Sequence, residues 1–324
     1  MAERRVLAAA IVLWSGRLST KMGYNPSIGP KGRGLPPVVA LVPFVIVLLL
    51  AAACGDGGES GAGRIAFVSD RSGEGAVYVM DAEGSNVTLF IEDAFFASWS
   101  PDGKRIAFGR SGDIYVMDAD GSDVAPVARR AVFPAWSPDG KRLAFAARRE
   151  GEDDIYVANA DGSGLTRLTD GRTPDTLPAW SPDGERIAFV SYASGRSEVH
   201  VMNADGTGDI RLTHTRPGLN SSFPAWSPDG ERIVYASNEE FKGRFYWDIY
   251  VMNADGSDQT NLTNSQANDR SPVWSPGGDR IAFISDRHGN SDIYVMNADG
   301  SDLRRLTNNP GEDGLGGNAW SPSP

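Results

Sequence analysis

Trp-Ser-Pro occurs six times in this chain, beginning at Trp99, Trp136, Trp180, Trp226, Trp274 and Trp320. Each copy but the last opens a segment of one design. In Trp99 to Ser122, a strand ends at Trp99, and Ser100-Pro101-Asp102-Gly103 makes a turn. Proline presets one φ there, and glycine permits a positive one. Arg105 to Gly109 and Ile114 to Met117 are two further strands, rich in β-branched and aromatic residues and separated by Ser111-Gly112. Asp118-Ala119-Asp120-Gly121 is a second tight turn. The middle strand recurs as Ile65-Ala66-Phe67, Leu143-Ala144-Phe145, Ile187-Ala188-Phe189, Ile233-Val234-Tyr235 and Ile281-Ala282-Phe283. A fourth short strand recurs around Leu168-Thr169, Leu212-Thr213, Leu262-Thr263 and Leu306-Thr307.

Four short strands per unit, at a period on the order of 45 residues, is the arithmetic of a β-propeller blade. The middle strands carry few polar residues on either side, as expected of sheets stacked between neighbours. The first unit opens at its second strand, Ile65, and Asn318 to Pro322 supply a first strand. The two fragments complete each other. The expected fold is therefore all-β: a six-bladed β-propeller of four-stranded antiparallel blades, its ring closed by the C-terminal strand joining blade 1. The propeller is assigned to residues 64–324.

The pattern P-x-W-S-P-D-G-x-x-I-A-F followed by D-I-Y-V-M-N-A-D-G-S runs almost verbatim from Pro178 and again from Pro272. It resembles the TolB-type β-propeller repeat, a WD-like repeat also found in the propellers of dipeptidyl-peptidase-like and tricorn-like proteins. The resemblance implies a six-bladed ring that binds a protein or peptide. It says less about function than about fold, because propellers host many roles.

Residues 1–53 differ in character. Arg4, Arg5, Arg17, Lys21, Lys31 and Arg33 face only Glu3, and Val38 to Ala53 is an uncharged apolar run. The run is shorter than the roughly 20 residues of a spanning helix, and the layout is that of a secretory signal. A start at Met22 would give that signal ordinary proportions. Leu50-Ala51-Ala52-Ala53-Cys54 resembles the lipobox of bacterial lipoproteins, with Ala51 where the pattern prefers Leu. The resemblance implies cleavage before Cys54, the sole cysteine, and lipid attachment to it. Residues 54–63, rich in glycine, then serve as a flexible tether. The expected location is extracytoplasmic, anchored in a membrane. The whole chain has a net charge of −11 despite its basic leader, so the domain beyond is strongly acidic. That excludes nucleic acid as the natural partner.

The strand order places the second-to-third and fourth-to-first loops, which vary in length, on one face of the ring. The other face has only repeated tight turns. Function concentrates on loops held by a rigid scaffold. By strand counting the variable-loop face carries Arg129, Arg130, Arg172, Arg216 and Arg270. It also carries the longest loop, Asn238 to Trp247, with Phe241, Arg244, Tyr246 and Trp247. Aromatics and arginines dominate binding hot spots, and these residues are the candidate contacts for an envelope protein or peptide. Asp170, Asp175 and Asp269 are the local acids that could pair with the arginines instead. Asp113, Asp154, Glu198, Asp248 and Asp292, each before a third strand, are expected to anchor loops.

The Asp-Gly turns resemble minimal calcium loops but lack the closing glutamate, and are read as hairpin turns. His200 stands where other blades have Tyr and is expected to pack between blades. His214 and His288 lie in separate loops. No nucleophile elbow, phosphate-binding glycine loop or zinc-binding helix motif occurs. The expectation is a monomeric, non-catalytic binder without metal or cofactor. The alternative is an extracytoplasmic propeller that binds or cleaves carbohydrate, as a lyase does.

Overall fold

The computed structural model describes residues 63–149, 151–170 and 172–322. The signal at 1–53, the start at Met22, the lipid site at Cys54 and the tether up to residue 62 lie outside the described residues. Among those described, no helix is long and apolar enough to cross a membrane.

The described residues form six four-stranded antiparallel sheets. Blade 1 holds β1 (Arg64–Ser69), β2 (Ala76–Asp81) and β3 (Thr88–Glu92). Blade 2 holds β4 (Phe95–Trp99), β5 (Arg105–Arg110), β6 (Asp113–Asp118) and β7 (Ala125–Ala128). Blade 3 holds β8 (Ala131–Trp136), β9 (Arg142–Arg148), β10 (Asp153–Asn159) and β11 (Thr166–Arg167). Blade 4 holds β12 (Asp175–Trp180), β13 (Arg186–Ser191), β14 (Glu198–Asn203) and β15 (Ile210–Arg211). Blade 5 holds β16 (Ser221–Trp226), β17 (Arg232–Phe241), β18 (Arg244–Asn253) and β19 (Thr260–Asn261). Blade 6 holds β20 (Asp269–Trp274), β21 (Arg280–Ser285), β22 (Asp292–Asn297) and β23 (Arg304–Arg305). The last strand, β24 (Asp313–Trp320), pairs with β1 and closes the ring.

The Trp-Ser-Pro turns show why closure works. In blade 2 the Ser100 hydroxyl accepts from the Arg105 amide at 2.9 Å and donates to Asp102 at 2.6 Å. The same serine bond recurs at Ser137, Ser181, Ser227 and Ser275. In blade 1 the hydroxyl of Ser321 accepts from the Arg64 amide at 2.7 Å, and the Ser321 amide donates to the Arg64 carbonyl at 2.7 Å. Two residues 257 positions apart thus rebuild the bond that other blades make within one turn.

The core lies between sheets. Ile65, Phe67, Ile106, Phe108, Phe145, Ile187 and Phe283 are all fully or almost fully buried. The small Ala66, Ala107, Ala144, Ala188 and Ala282, each with no exposure, allow close stacking. Each joint between blades 1 and 6 in chain order is capped by an arginine of one blade over the tryptophan of the next. The pairs are Arg64–Trp99, Arg105–Trp136, Arg142–Trp180, Arg186–Trp226 and Arg232–Trp274, at 4.5–4.9 Å from the ring centres. At the closing joint Arg280 turns to Glu83 of blade 1, 2.6 Å away.

Antiparallel pairing puts the Trp-Ser-Pro and Asp-Gly turns on one face and the variable loops on the other. Turn-face aspartates serve their own turns. Asp120 accepts from the Ser122 amide at 2.9 Å and its hydroxyl at 2.5 Å, and Asp161, Asp205, Asp255 and Asp299 repeat this. Those hydroxyl and amide bonds hold each carboxyl below the usual carboxylate range.

Candidate binding face

Loop-face geometry begins with the acids at the start of each third strand. Each ties its strand to the fourth strand or the loop beyond. Asp154 pairs with Arg167 at 2.8 Å and receives the Thr169 hydroxyl at 3.2 Å. Glu198 takes both the amide and the hydroxyl of Thr215, at 3.0 and 2.8 Å. Asp248 takes Thr263 and the Ser265 amide at 2.9 and 2.7 Å, and Asp292 pairs with Arg305 at 2.5 Å. Asp113 receives the Arg130 amide at 2.9 Å. Burial raises the carboxyls of Asp248 and Asp292 above their ordinary range, so these bonds offset much of the cost of enclosing charge.

Over this frame, Arg129 and Arg130 are brought together with Arg148, Arg149 and Asp113 around an open pocket of about 350 Å³ between blades 2 and 3. Arg148 is pinned by Asp153 at 3.2 Å and, more distantly, by Glu152 at 3.8 Å. Arg149 lies over the ring of Tyr156 at 5.5 Å. Arg129, Arg130 and Arg149 are exposed and form no ion pair with a described residue. Arg148 and Arg149 escape sequence reasoning because they sit where a buried strand runs out. Alignment of Arg149 with Arg71 and Arg287, each four residues past the phenylalanine of its strand (Phe145, Phe67 and Phe283), is the signal that could have found it.

The other candidates stay apart from that pocket. Arg172 is exposed and pairs with Asp170 at 3.0 Å. Arg216 is exposed in the loop between blades 4 and 5. Arg270, at the start of β20, is half-buried among Asp286, Asp269 and Glu312, and burial lowers its guanidinium from its ordinary range. Asp269 is buried and accepts from Nη2 of Arg287 on both of its oxygens, at 3.1 and 3.0 Å.

The stretch expected as a long loop is a hairpin. β17 and β18 pair through Phe241↔Arg244, with only Lys242-Gly243 at the tip. Both tip residues have positive φ, 52° and 76°, as a two-residue hairpin turn requires. Phe241 and Phe245 are exposed at 46% and 51%, and Arg244 is exposed beside them. Trp247, opposite Asn238, is buried at 7%, and Tyr246 is half-buried. The aromatic patch thus consists of the two phenylalanines, while Trp247 belongs to the blade.

His200 lies against Phe189 with ring centres 5.5 Å apart and planes tilted by 47°, and bonds Asp209 at 2.8 Å, as packing between strands requires. His288 bonds the Tyr294 hydroxyl, and His214 is exposed. Among the described residues no three His, Cys, Asp or Glu side chains gather into a metal-holding group.

The TolB beta propeller domain model matches residues 64–241 and 207–323. The chain belongs to the TolB β-propeller domain family. Among solved structures, this TolB-family chain is similar to TolB from Acinetobacter baumannii, at 22% identity and TM-score 0.68, covering 80% of this chain and 67% of that one. It is also similar to a putative TolB from Agrobacterium tumefaciens, at 23% identity and TM-score 0.64, covering 81% and 93%. Oligogalacturonate lyase from Vibrio parahaemolyticus matches at 14% identity and TM-score 0.53, covering 75% and 73%. At these identities the likeness is one of fold. No curated protein sequence matches the chain.

Proposed function

We propose that this chain is a non-catalytic, monomeric lipoprotein of the cell envelope, held outside the cytoplasm by lipid on Cys54. Its propeller binds a protein or peptide partner through the variable-loop face. The observation that carries the reading is the arginine pocket between blades 2 and 3. Three exposed guanidinium groups without an ion-pair partner among the described residues stand there in a strongly acidic chain. Guanidinium recognises carboxylates in a two-pronged, charge-assisted way, so an acidic segment is the complementary partner. The exposed Phe241 and Phe245 of the blade 5 hairpin offer a separate apolar contact on the same face.

The test is a pull-down from the organism's own envelope extract with two variant sets. One changes Arg129, Arg130 and Arg149 to Ala. The other changes the turn-face Asp120, Asp205 and Asp299 to Asn. The loop-face set should lose the captured partner and the turn-face set should keep it; the reverse outcome overturns the reading. The same arginines would also suit the carboxylates of an acidic sugar, the carbohydrate alternative. Capture of polysaccharide in place of protein in that experiment would select it.

A further inference from the structure

Blades 1 and 6 each contain the same clamp. In blade 1, Arg71 lies over Phe67 and Tyr78 at 4.9 and 4.8 Å. Its Nε donates to the Ser69 hydroxyl at 2.9 Å, and its Nη2 spans both oxygens of Asp313 at 3.0 and 3.2 Å. In blade 6, Arg287 lies over Phe283 and Tyr294, and bonds Ser285 and Asp269 in the same way. The register is identical. The aspartate opens the first strand opposite the serine that ends the second, and the arginine follows two residues later.

Blade 4 keeps the aspartate, the serine and the phenylalanine of this clamp, has His200 in place of the tyrosine, and lacks the arginine. Asp175 opens β12 opposite Ser191, and the ring pair is Phe189 with His200. The residue two positions past Ser191 is Ala193, which is exposed. Asp175 is only 7% exposed, and its Oδ1 is buried without a hydrogen-bond partner among the described residues. Burial, with Asp154 and Asp209 adding repulsion, pushes the carboxyl up to about 6 against the opposing pull of the nearby Ser191 and Thr169 hydroxyls. A buried carboxylate with one oxygen unserved is costly, and a charged donor is what would relieve it.

We propose that blade 4 is a receptor for a guanidinium from outside the chain: the arginine side chain of a protein partner passes over Ala193, pairs with Asp175 and stacks on the Phe189–His200 pair. The path is the one Arg71 and Arg287 take, each with 20% of its side chain left exposed. Guanidinium is favoured over ammonium because one planar group must stack on the rings while reaching the serine through Nε and the carboxylate through Nη2, as Arg71 and Arg287 do. The slot is separate from the arginine pocket, and neither reading depends on the other.

The probe is the peptide acetyl-Gly-Arg-Gly-amide, titrated into the full chain in detergent at fixed ionic strength, with acetyl-Gly-Lys-Gly-amide as control. Calorimetry and melting temperature are read. The arginine peptide should bind saturably and raise the melting temperature, and the lysine peptide should bind at least tenfold more weakly. Asp175→Asn should weaken the arginine peptide at least tenfold. Ala193→Arg supplies the guanidinium in cis, so it should raise the melting temperature and block the peptide. That gain should vanish when Asp175→Asn is added. No binding to the wild type, equal binding of the lysine peptide, or undiminished binding to either variant overturns the proposal.

Discussion

The enclosed carboxyl of Asp175 should make the propeller less stable as pH rises, and the size of the effect follows from its surroundings. Burial lifts the group from 3.8 to about 6. The folded state therefore holds this proton more tightly than the unfolded chain. Below about pH 4 both states are protonated and the group costs nothing. Between about pH 4 and pH 6 the unfolded chain loses the proton first, and the penalty grows. Above about pH 6 it is complete, at about 3 kcal/mol for a shift of roughly two units. Solvent screening removes little of this, because Asp175 is 7% exposed. Asp175→Asn keeps the shape and removes the charge. The assay is urea unfolding of both proteins from pH 4 to pH 8, read as the difference between variant and wild type. In that difference Asp248, Asp292 and the turn aspartates cancel. The variant should match the wild type near pH 4 and exceed it by up to about 3 kcal/mol at pH 7.5. Urea is required because guanidinium chloride would itself supply the ion that blade 4 is proposed to take. A difference that stays flat with pH would refute the argument.

Trp320→Ala should cost about 3–5 kcal/mol, as other buried tryptophans do, because Trp320 is 7% exposed in the strand that closes the ring; an unchanged melting temperature would mean that β24 does not hold blade 1 shut. Gly84→Ala should destabilise more than Gly121→Ala. Both glycines have φ of +84 to +87°, but a Cβ on Gly84 would meet the Leu306 carbonyl at 2.7 Å, whereas nothing lies within 4 Å of one on Gly121. Equal melting temperatures would remove the contact from the account. Cys54→Ser should abolish incorporation of labelled lipid and leave the precursor uncleaved, and unchanged labelling would reject the anchor.

The ring was legible because its signals are local and repeated. Trp-Ser-Pro-Asp-Gly dictates its own serine and aspartate bonds, and the residues of β24 declare themselves by copying the start of every other blade. The binding face was less legible, because its chemistry lies in differences between copies. Trp247 looks like a contact in a loop until the register sets it opposite Asn238 and buries it. Asp175 and Asp269 look alike in sequence, as acids ahead of a first strand. Only the presence of Arg287 in one blade and Ala193 in the other separates a satisfied pair from an unserved oxygen. Arg149 is the converse case: Ala131 stands where its aspartate would be, and the guanidinium is left to the pocket.

The seam in blade 1 also sets the face on which the preceding chain joins the propeller. The chain enters β1 at Arg64, beside Ser321, on the face of the tight turns. Anything attached ahead of Gly63 therefore pulls on that face. With a lipid on Cys54, as proposed, the attachment would be to the turn face, leaving the arginine pocket, the blade 5 hairpin and the blade 4 slot on the face away from it. Under that proposal, a partner that reaches the loop face is one that projects past the domain or approaches from the side opposite its attachment.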